Sequence, residues 1–333
     1  MKNYRTYIGI DVAKLTLDYC IVKEDPQLEQ GQILNTQKSV DKFLKTLKKT
    51  GCQMNETLFV FENTGIYSSL LALVLSENRL DYAQVPALEI KRSLGITRGK
   101  SDKVDAKEIA HYAKRNTDKI ALSTLPELSL QQLKIVFAER EKTVAAIKTF
   151  ERTKENEMFL TKEVFNSVKA INNQTVKHLK KQLVMLDEKI RTLIREDENL
   201  YGQQQLLKSI PGIGDITSVY ILMATKGFTA FTSGRKFACY SGVAPFEHSS
   251  GTSIKGKTRV SHLADKKMKT LLHMASLTAI KYDPELKDYY NRKKAEGKHT
   301  MLVLNNIKCK MVYRIFAVIQ RKSNFVNLHK FAA

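Results

Sequence analysis

An apolar run, Tyr7-Ile-Gly-Ile-Asp11, stops abruptly on a carboxylate, and the next hundred residues repeat that arrangement. A short run of β-formers bounded by a charge is a strand. Residues 14–22 have the composition of its hairpin partner. A third strand fits 32–36 and a helix 40–49. Thr57-Leu-Phe-Val-Phe-Glu62 is a buried strand that again ends in an acid, followed by a helix over 67–77 and a strand over 81–85. Strands alternating with helices must cover both faces of one sheet. The expected fold is therefore an α/β sheet led by a β-hairpin.

Beyond it the pattern changes. Residues 128–199 contain almost no Gly or Pro, and Leu, Ile, Val and Phe recur at helical spacing among Glu and Lys. This predicts long helices with coiled-coil character, of the kind that space domains or pair subunits. From 206 onward the pattern is again helical, interrupted by a Gly/Ser/Thr/Lys-rich stretch over 242–258 that reads as an open loop. The expected organisation is an α/β domain over 1–125, a helical linker and dimerisation segment over 126–204, and a mostly helical domain over 205–333. A chain of 333 residues is long enough for each part to bury its own core.

The charge names a partner class. Lys plus Arg number 55 against 34 Asp plus Glu, a net charge of +21, and residues 251–333 alone carry 18 Lys/Arg against 5 Asp/Glu. Such a surface attracts polyanions, with nucleic acid foremost. The four cysteines, Cys20, Cys52, Cys239 and Cys309, have neither zinc nor disulfide spacing. Residues 1–7 lead straight into the first strand, and no apolar run reaches the roughly 18 residues of a membrane span. A cytoplasmic chain without a membrane segment is expected.

Chemistry enters with the acids. Asp11 and Glu62 end strands, where an α/β sheet presents catalytic groups. Asp102 and Asp105, in Gly99-Lys-Ser-Asp-Lys-Val-Asp-Ala-Lys, stand three apart at a helix start and so share a side. Taken singly, each acid is an ordinary turn or cap residue. Four converging carboxylates repel unless a cation neutralises them, and hard oxygen ligands suit Mg2+. Asp18, expected to face outward, and Glu108, expected to be a solvated helix charge, are nearby alternatives.

Two further motifs suit a nucleic-acid partner. Ser209-Ile-Pro-Gly-Ile-Gly214 between helical runs reads as a helix-hairpin-helix turn in which Gly212 and Gly214 let backbone amides approach a phosphate; an ordinary interhelical turn is the plain alternative. Downstream, Gly234-Arg-Lys-Phe-Ala-Cys-Tyr-Ser-Gly leads into the 242–258 loop. There Arg235, Lys236, Lys255, Lys257 and Arg259 offer cations, and Ser241 precedes a glycine. A serine can attack a phosphodiester if its proton is removed, and no histidine is placed to take it. By spacing alone Ser241 is a turn serine.

At this point the residues resemble a known family, the DEDD transposases of bacterial insertion sequences, often called the one-ten family. Ile10-Asp11-Val-Ala-Lys14, Phe61-Glu62-Asn-Thr-Gly65 and Lys100-Ser-Asp102-Lys-Val-Asp105 are similar to its D-E-D-D positions. Ile210-Pro-Gly-Ile-Gly214 and Tyr240-Ser241-Gly-Val-Ala-Pro245 are similar to its transposase domain. The resemblance implies a RuvC/RNase-H-like first domain, a Mg2+-binding set of Asp11, Glu62, Asp102 and Asp105, and Ser241 as catalytic nucleophile. It also implies a structured guide RNA, donor and target DNA as substrates, and a dimer or tetramer with active sites shared between protomers. The chain departs from the family where Ala264-Asp265 stands in place of a common Gly-Asn pair. Three other readings compete: a junction nuclease using the metal cluster and water alone, a non-catalytic nucleic-acid scaffold, and, lowest, an actin-like sugar kinase, whose second phosphate-binding hairpin is missing.

Overall fold

The structure, a computed structural model, describes residues 2–23, 28–93, 102–152, 158–250 and 254–327; for 102–103, 247–250 and 254–259 the backbone alone is described. The chain divides into two compact units, Met1–Leu125 and Pro126–Ala333.

In the first unit, β1 (Thr6–Val12) pairs antiparallel with β2 (Thr16–Lys23), which pairs antiparallel with β3 (Leu28–Leu34). β4 (Thr57–Glu62) and β5 (Tyr82–Val85) extend the other edge in parallel, giving the order β3-β2-β1-β4-β5. The crossovers are α1 (Gln37–Lys49) and α2 (Ile66–Glu77), followed after β5 by α3 (Ala87–Ser93) and α4 (Asp102–Arg115). Because side chains alternate along a strand, Ile8, Ile10, Phe59 and Phe61 pack on one face against Val40, Phe43 and Leu44 of α1 and Leu71 and Leu75 of α2. On the other face Tyr7, Leu58 and Val60 meet Ile109, Tyr112 and Ala113 of α4, while Cys20 and Val22 meet Ala106 and Ala110. The third strand begins four residues before the expected 32–36. Its Glu29-Gln30-Gly31-Gln32 stretch is polar because β3 is a solvated edge, which hides it from a hydrophobicity reading.

The second unit opens with α5 (Leu128–Arg152) and α6 (Lys162–Arg195) lying antiparallel. The Ser129 hydroxyl donates to Asp197 at 2.6 Å, Arg140 to Asp187 at 2.6 Å and Lys180 to Glu151 at 2.8 Å. Then come α7 (Glu198–Lys208), α8 (Asp215–Thr225), α9 (Gly234–Tyr240), β6 (Pro245–Ser250), β7 (Ile254–Val260), α10 (Lys266–Tyr282), α11 (Pro284–Ala295) and α12 (Thr300–Arg321). Leu133, Phe137, Ile190 and Leu193, at the foot of the α5–α6 hairpin, share one core with Leu207, Leu222, Phe237, Leu272, Ile307 and Ile315. The stretch expected to be an open loop folds as the antiparallel hairpin β6–β7, with residues 251–253 outside the described set. Its β-formers Phe246, Ile254 and Val260 outweigh the Gly and Ser that suggested a loop. Among the described residues no helix is long and apolar enough to cross a membrane.

Candidate active site

In the first unit, Asp11 and Glu62 follow the parallel-paired residues Ile10 and Phe61, so the two acids stand side by side at the carboxyl ends of adjacent strands. Asp11 is also paired across the hairpin with Asp18, and opposed residues of an antiparallel pair point to the same face. That face lies beneath α4. A Cβ built on Gly9 would come within 2.2 Å of Ala110 N and 2.4 Å of Ala106 O, so only a glycine lets the helix lie this close. Asp11 is two residues beyond Gly9 along β1, toward the helix start, where half-buried Asp105 adjoins Ala106.

Two expectations need correction. Asp18 does not face outward; it is buried on the α4 face, and the Gln32 amide donates to both its oxygens at 3.1 and 3.0 Å. The edge strand β3 supplies that amide, so the carboxylate loses water without losing donors. Glu108 is half-buried rather than solvated, and its carboxyl pKa is raised, first by burial and then by Asp105. Asp102 lies at the start of α4, with its side chain outside the described set. Among the described residues no group of three or more His, Cys, Asp or Glu is drawn together tightly enough to hold a metal ion. The donor chemistry nonetheless fits a hard cation: Asp11, Glu62 and Asp105 contribute only carboxylate oxygens to one end of one sheet face.

In the second unit, Ser241 caps the C-terminus of α9 and is wholly buried, its hydroxyl donating to the Phe237 carbonyl at 2.8 Å. Gly242 follows at φ +63°, and a Cβ there would meet Ala264 Cβ at 2.4 Å. Asp265 begins α10 as its N-cap, accepting from Met268 N at 2.8 Å, from Tyr240 OH at 2.7 Å and from Tyr220 OH at 2.9 Å. The pKa values of both phenols are raised, by burial first and then by this carboxylate. The two tyrosines, with Phe137, Lys134, Lys226 and Lys267, line an open cleft of about 540 Å³. The Lys134 amine sits in that concavity with its pKa lowered, by burial and then by Lys226.

The glycine turn between α7 and α8 has a structural cause at one of its two glycines. Gly212 has φ +94°, and a Cβ on it would meet Ala275 O of α10 at 2.3 Å; packing requires this glycine. Gly214 is the open N-cap of α8, with nothing within 4 Å of its Cβ position. Asp215 beside it pairs with Lys208 at 2.5 Å and already places an anion at that helix start. Arg235 and Lys236 are exposed on the first turn of α9, while Lys255, Lys257 and Arg259 lie on β7 with side chains outside the described set.

Comparison with known proteins settles the lineage. A profile described as "Transposase IS116/IS110/IS902 family" matches residues 204–291, and the DEDD transposase profile of the same family matches residues 8–156. The chain belongs to the IS110 family of transposases. Over 326 residues the transposase is 28% identical to the "Pilin gene-inverting protein" of Moraxella bovis, covering 96% of this chain and 98% of that one. It is 33% identical over 134 residues to the "Insertion element IS900 uncharacterized 42 kDa protein" of Mycobacterium paratuberculosis, covering 39% and 33% of the two chains. Among solved structures, RuvC of T. thermophilus with a Holliday junction aligns over 36% of this chain and all of its own, at 11% identity and a TM-score of 0.27. Two features of the transposase escaped the sequence reading. The position of Asp265, three residues before Met268 at the start of an apolar-periodic run, was a readable N-cap signal; the burial of Asp18 had no such signal.

Proposed function

We propose that this transposase cuts and rejoins DNA through Ser241, assisted by a Mg2+-binding set of Asp11, Glu62, Asp102 and Asp105, under the direction of a structured RNA and as a dimer or tetramer. The observation carrying the metal assignment is the register that stands Asp11 beside Glu62 on the face covered by α4. Bound there, a divalent ion supplies charge neutralisation at a scissile phosphate. The chain's own residues provide the rest. Exposed Arg235 and Lys236 attract the DNA backbone, and Gly214 leaves backbone amides accessible at the α8 start. On α6 the exposed Val184 and Met185 suit a subunit contact. A strand-joining role accords with the gene-inverting relatives, and rejoining requires that the energy of the broken diester be kept, as a phosphoserine bond does.

A second reading, hydrolysis by water with the acids alone, is favoured by the burial of Ser241, whose attack requires its packing to open. One experiment separates the two. Purified protein is incubated with its element's end DNA, the element's transcript and magnesium, then digested and searched for a nucleotide-bearing Ser241 peptide. The proposal expects that adduct, its loss in Ser241→Ala, and loss of all cutting in Asp11→Asn and Glu62→Gln. Free cut ends from Ser241→Ala at the wild-type rate establish the hydrolytic reading instead.

A further inference from the structure

A serine nucleophile needs a group to take its proton, and among the described residues no histidine is hydrogen-bonded to Ser241. The packing of α9 on α12 supplies another candidate. The two helices run antiparallel. At one end, a Cβ on Gly234 would sit 3.2 Å from Tyr313 and 3.5 Å from Phe316; midway, Cys239 is close enough to Cys309 to act on its thiol; at the other end, Asn305 donates to the Val243 carbonyl at 2.9 Å. Ser241 is seven residues after Gly234, two helical turns, and so lies on the same side of α9, the side facing α12. Along α12 the stretch opposite it falls between Asn305 and Cys309. Lys308 is there.

Lys308 is 4% exposed, and among the described residues no acid pairs with it. A lysine set this deep without a counter-ion gives up its proton more readily than one in water. From α10, the Lys269 side chain reaches the same place, its Cδ 3.7 Å from the Cβ position of Gly242, and adds a like charge. Burial first and Lys269 second push the Lys308 pKa down. Along this stretch α12 also faces Cys239 of α9 and Tyr289 of α11, the latter 4.7 Å beneath Lys310.

We propose that Lys308, opposite Ser241 across the α9–α12 contact, is the proton acceptor that activates this serine. The inference rests on the serine reading above and names the base that reading lacks. The Oγ proton passes to the neutral Nζ. The Oγ–P bond forms as the P–O bond to the leaving sugar breaks, the sugar oxygen takes a proton from solvent, and the ammonium returns one to solvent. Rejoining by the incoming sugar hydroxyl runs the same sequence backward. In the resting chain the Oγ proton is held by the Phe237 carbonyl, so a turn about the serine side-chain bond transfers it from one acceptor to the other.

The test follows the rate of Ser241 adduct formation by full-length protein with the element's end DNA, its transcript and magnesium. Lys308→Met keeps the length and removes the amine. It is expected to melt no lower than wild type and to form adduct about 100-fold more slowly or worse, the range for loss of a general base. Lys308→Arg carries a fixed positive charge and cannot give up a proton at these pH values, and is expected to be equally slow. Wild type should speed up with pH and then level off. Lys269→Gln, which leaves Lys308 in place, should move that rise to higher pH because a neighbouring positive charge is gone. Lys308→Met or Lys308→Arg within threefold of wild type, or a Lys269→Gln profile that does not move, overturns the assignment. If Ser241→Ala is inactive in the same series, the serine reading survives that failure; if Ser241→Ala still joins DNA, both fall together.

Discussion

Replacing Gly9 with alanine tests the link between packing and site most directly. The added methyl would lie 2.2 Å from Ala110 N and 2.4 Å from Ala106 O, against the 3.4 Å at which ordinary contact begins. Both obstacles are helix backbone and cannot rotate away as a side chain would, so α4 must retreat by about 1 Å along its contact with β1 and β2. Ala106, Ile109 and Ala113 lose packing as it does. Overpacking of this kind costs about 1–3 kcal/mol, and for a unit of this size that lowers its melting transition by about 5–15 °C. The retreating helix carries Asp105 away from Asp11 and Glu62. A displacement of that size in a reacting group costs about 100-fold in rate, so activity should fall further than the melting shift alone explains. Calorimetry beside the DNA-joining assay, at a temperature where both proteins are folded, measures the two effects. Gly202→Ala is the control, since nothing lies within 4 Å of that Cβ position and it sits within α7. The reasoning is refuted if Gly9→Ala melts with wild type and joins DNA at the wild-type rate.

Two other predictions concern stability. Arg314 pairs with the fully buried Asp283 at 2.5 Å and with Glu285 at 2.7 Å. Arg314→Met strands a buried carboxylate and should cost about 3–5 kcal/mol by chemical denaturation, whereas adding Asp283→Asn should restore part of the loss; equal stability of single mutant and wild type would show the pair to be idle. The second is alkaline unfolding. The Tyr4 pKa is pushed up to about 12 by burial and then by Asp81, and those of Tyr220 and Tyr240 are raised by burial and then by Asp265. The unfolded chain releases these protons near pH 10 and the folded chain later. Their contribution is therefore whole below about pH 10 and lost as the pH climbs toward the folded values. Ultraviolet titration should show these three phenols, together with Tyr19 and Tyr112, whose pKa values burial also raises, ionising later than the rest, and early ionisation of all thirteen tyrosines would contradict it.

The residues themselves determined the sheet, because its strands are apolar runs whose burial leaves few alternatives: Tyr7-Ile-Gly-Ile-Asp11 and Thr57-Leu-Phe-Val-Phe-Glu62 announced both the strands and the acids at their ends. Helix starts carry local cap signals at Thr36 and Asp265, although neither residue was read as a cap and the first helix was expected to begin only at 40. The polar first half of the edge strand β3 and the β6–β7 hairpin were not legible, since their strand state depends on a partner's backbone more than on their own hydrophobicity. Which residues meet across the chain was decided by the tertiary structure alone. The opposition of Asp18 to Asp11 is a matter of hairpin register. The demand for glycine at Gly9 and Gly212 comes from helices that arrive about a hundred and about sixty residues later in the chain. The burial of Ser241 on α9 and of Lys308 on α12 follows from helices far apart in sequence packing along one seam. Local propensity carries no record of such contacts, because their free energy arises only once both surfaces have left water.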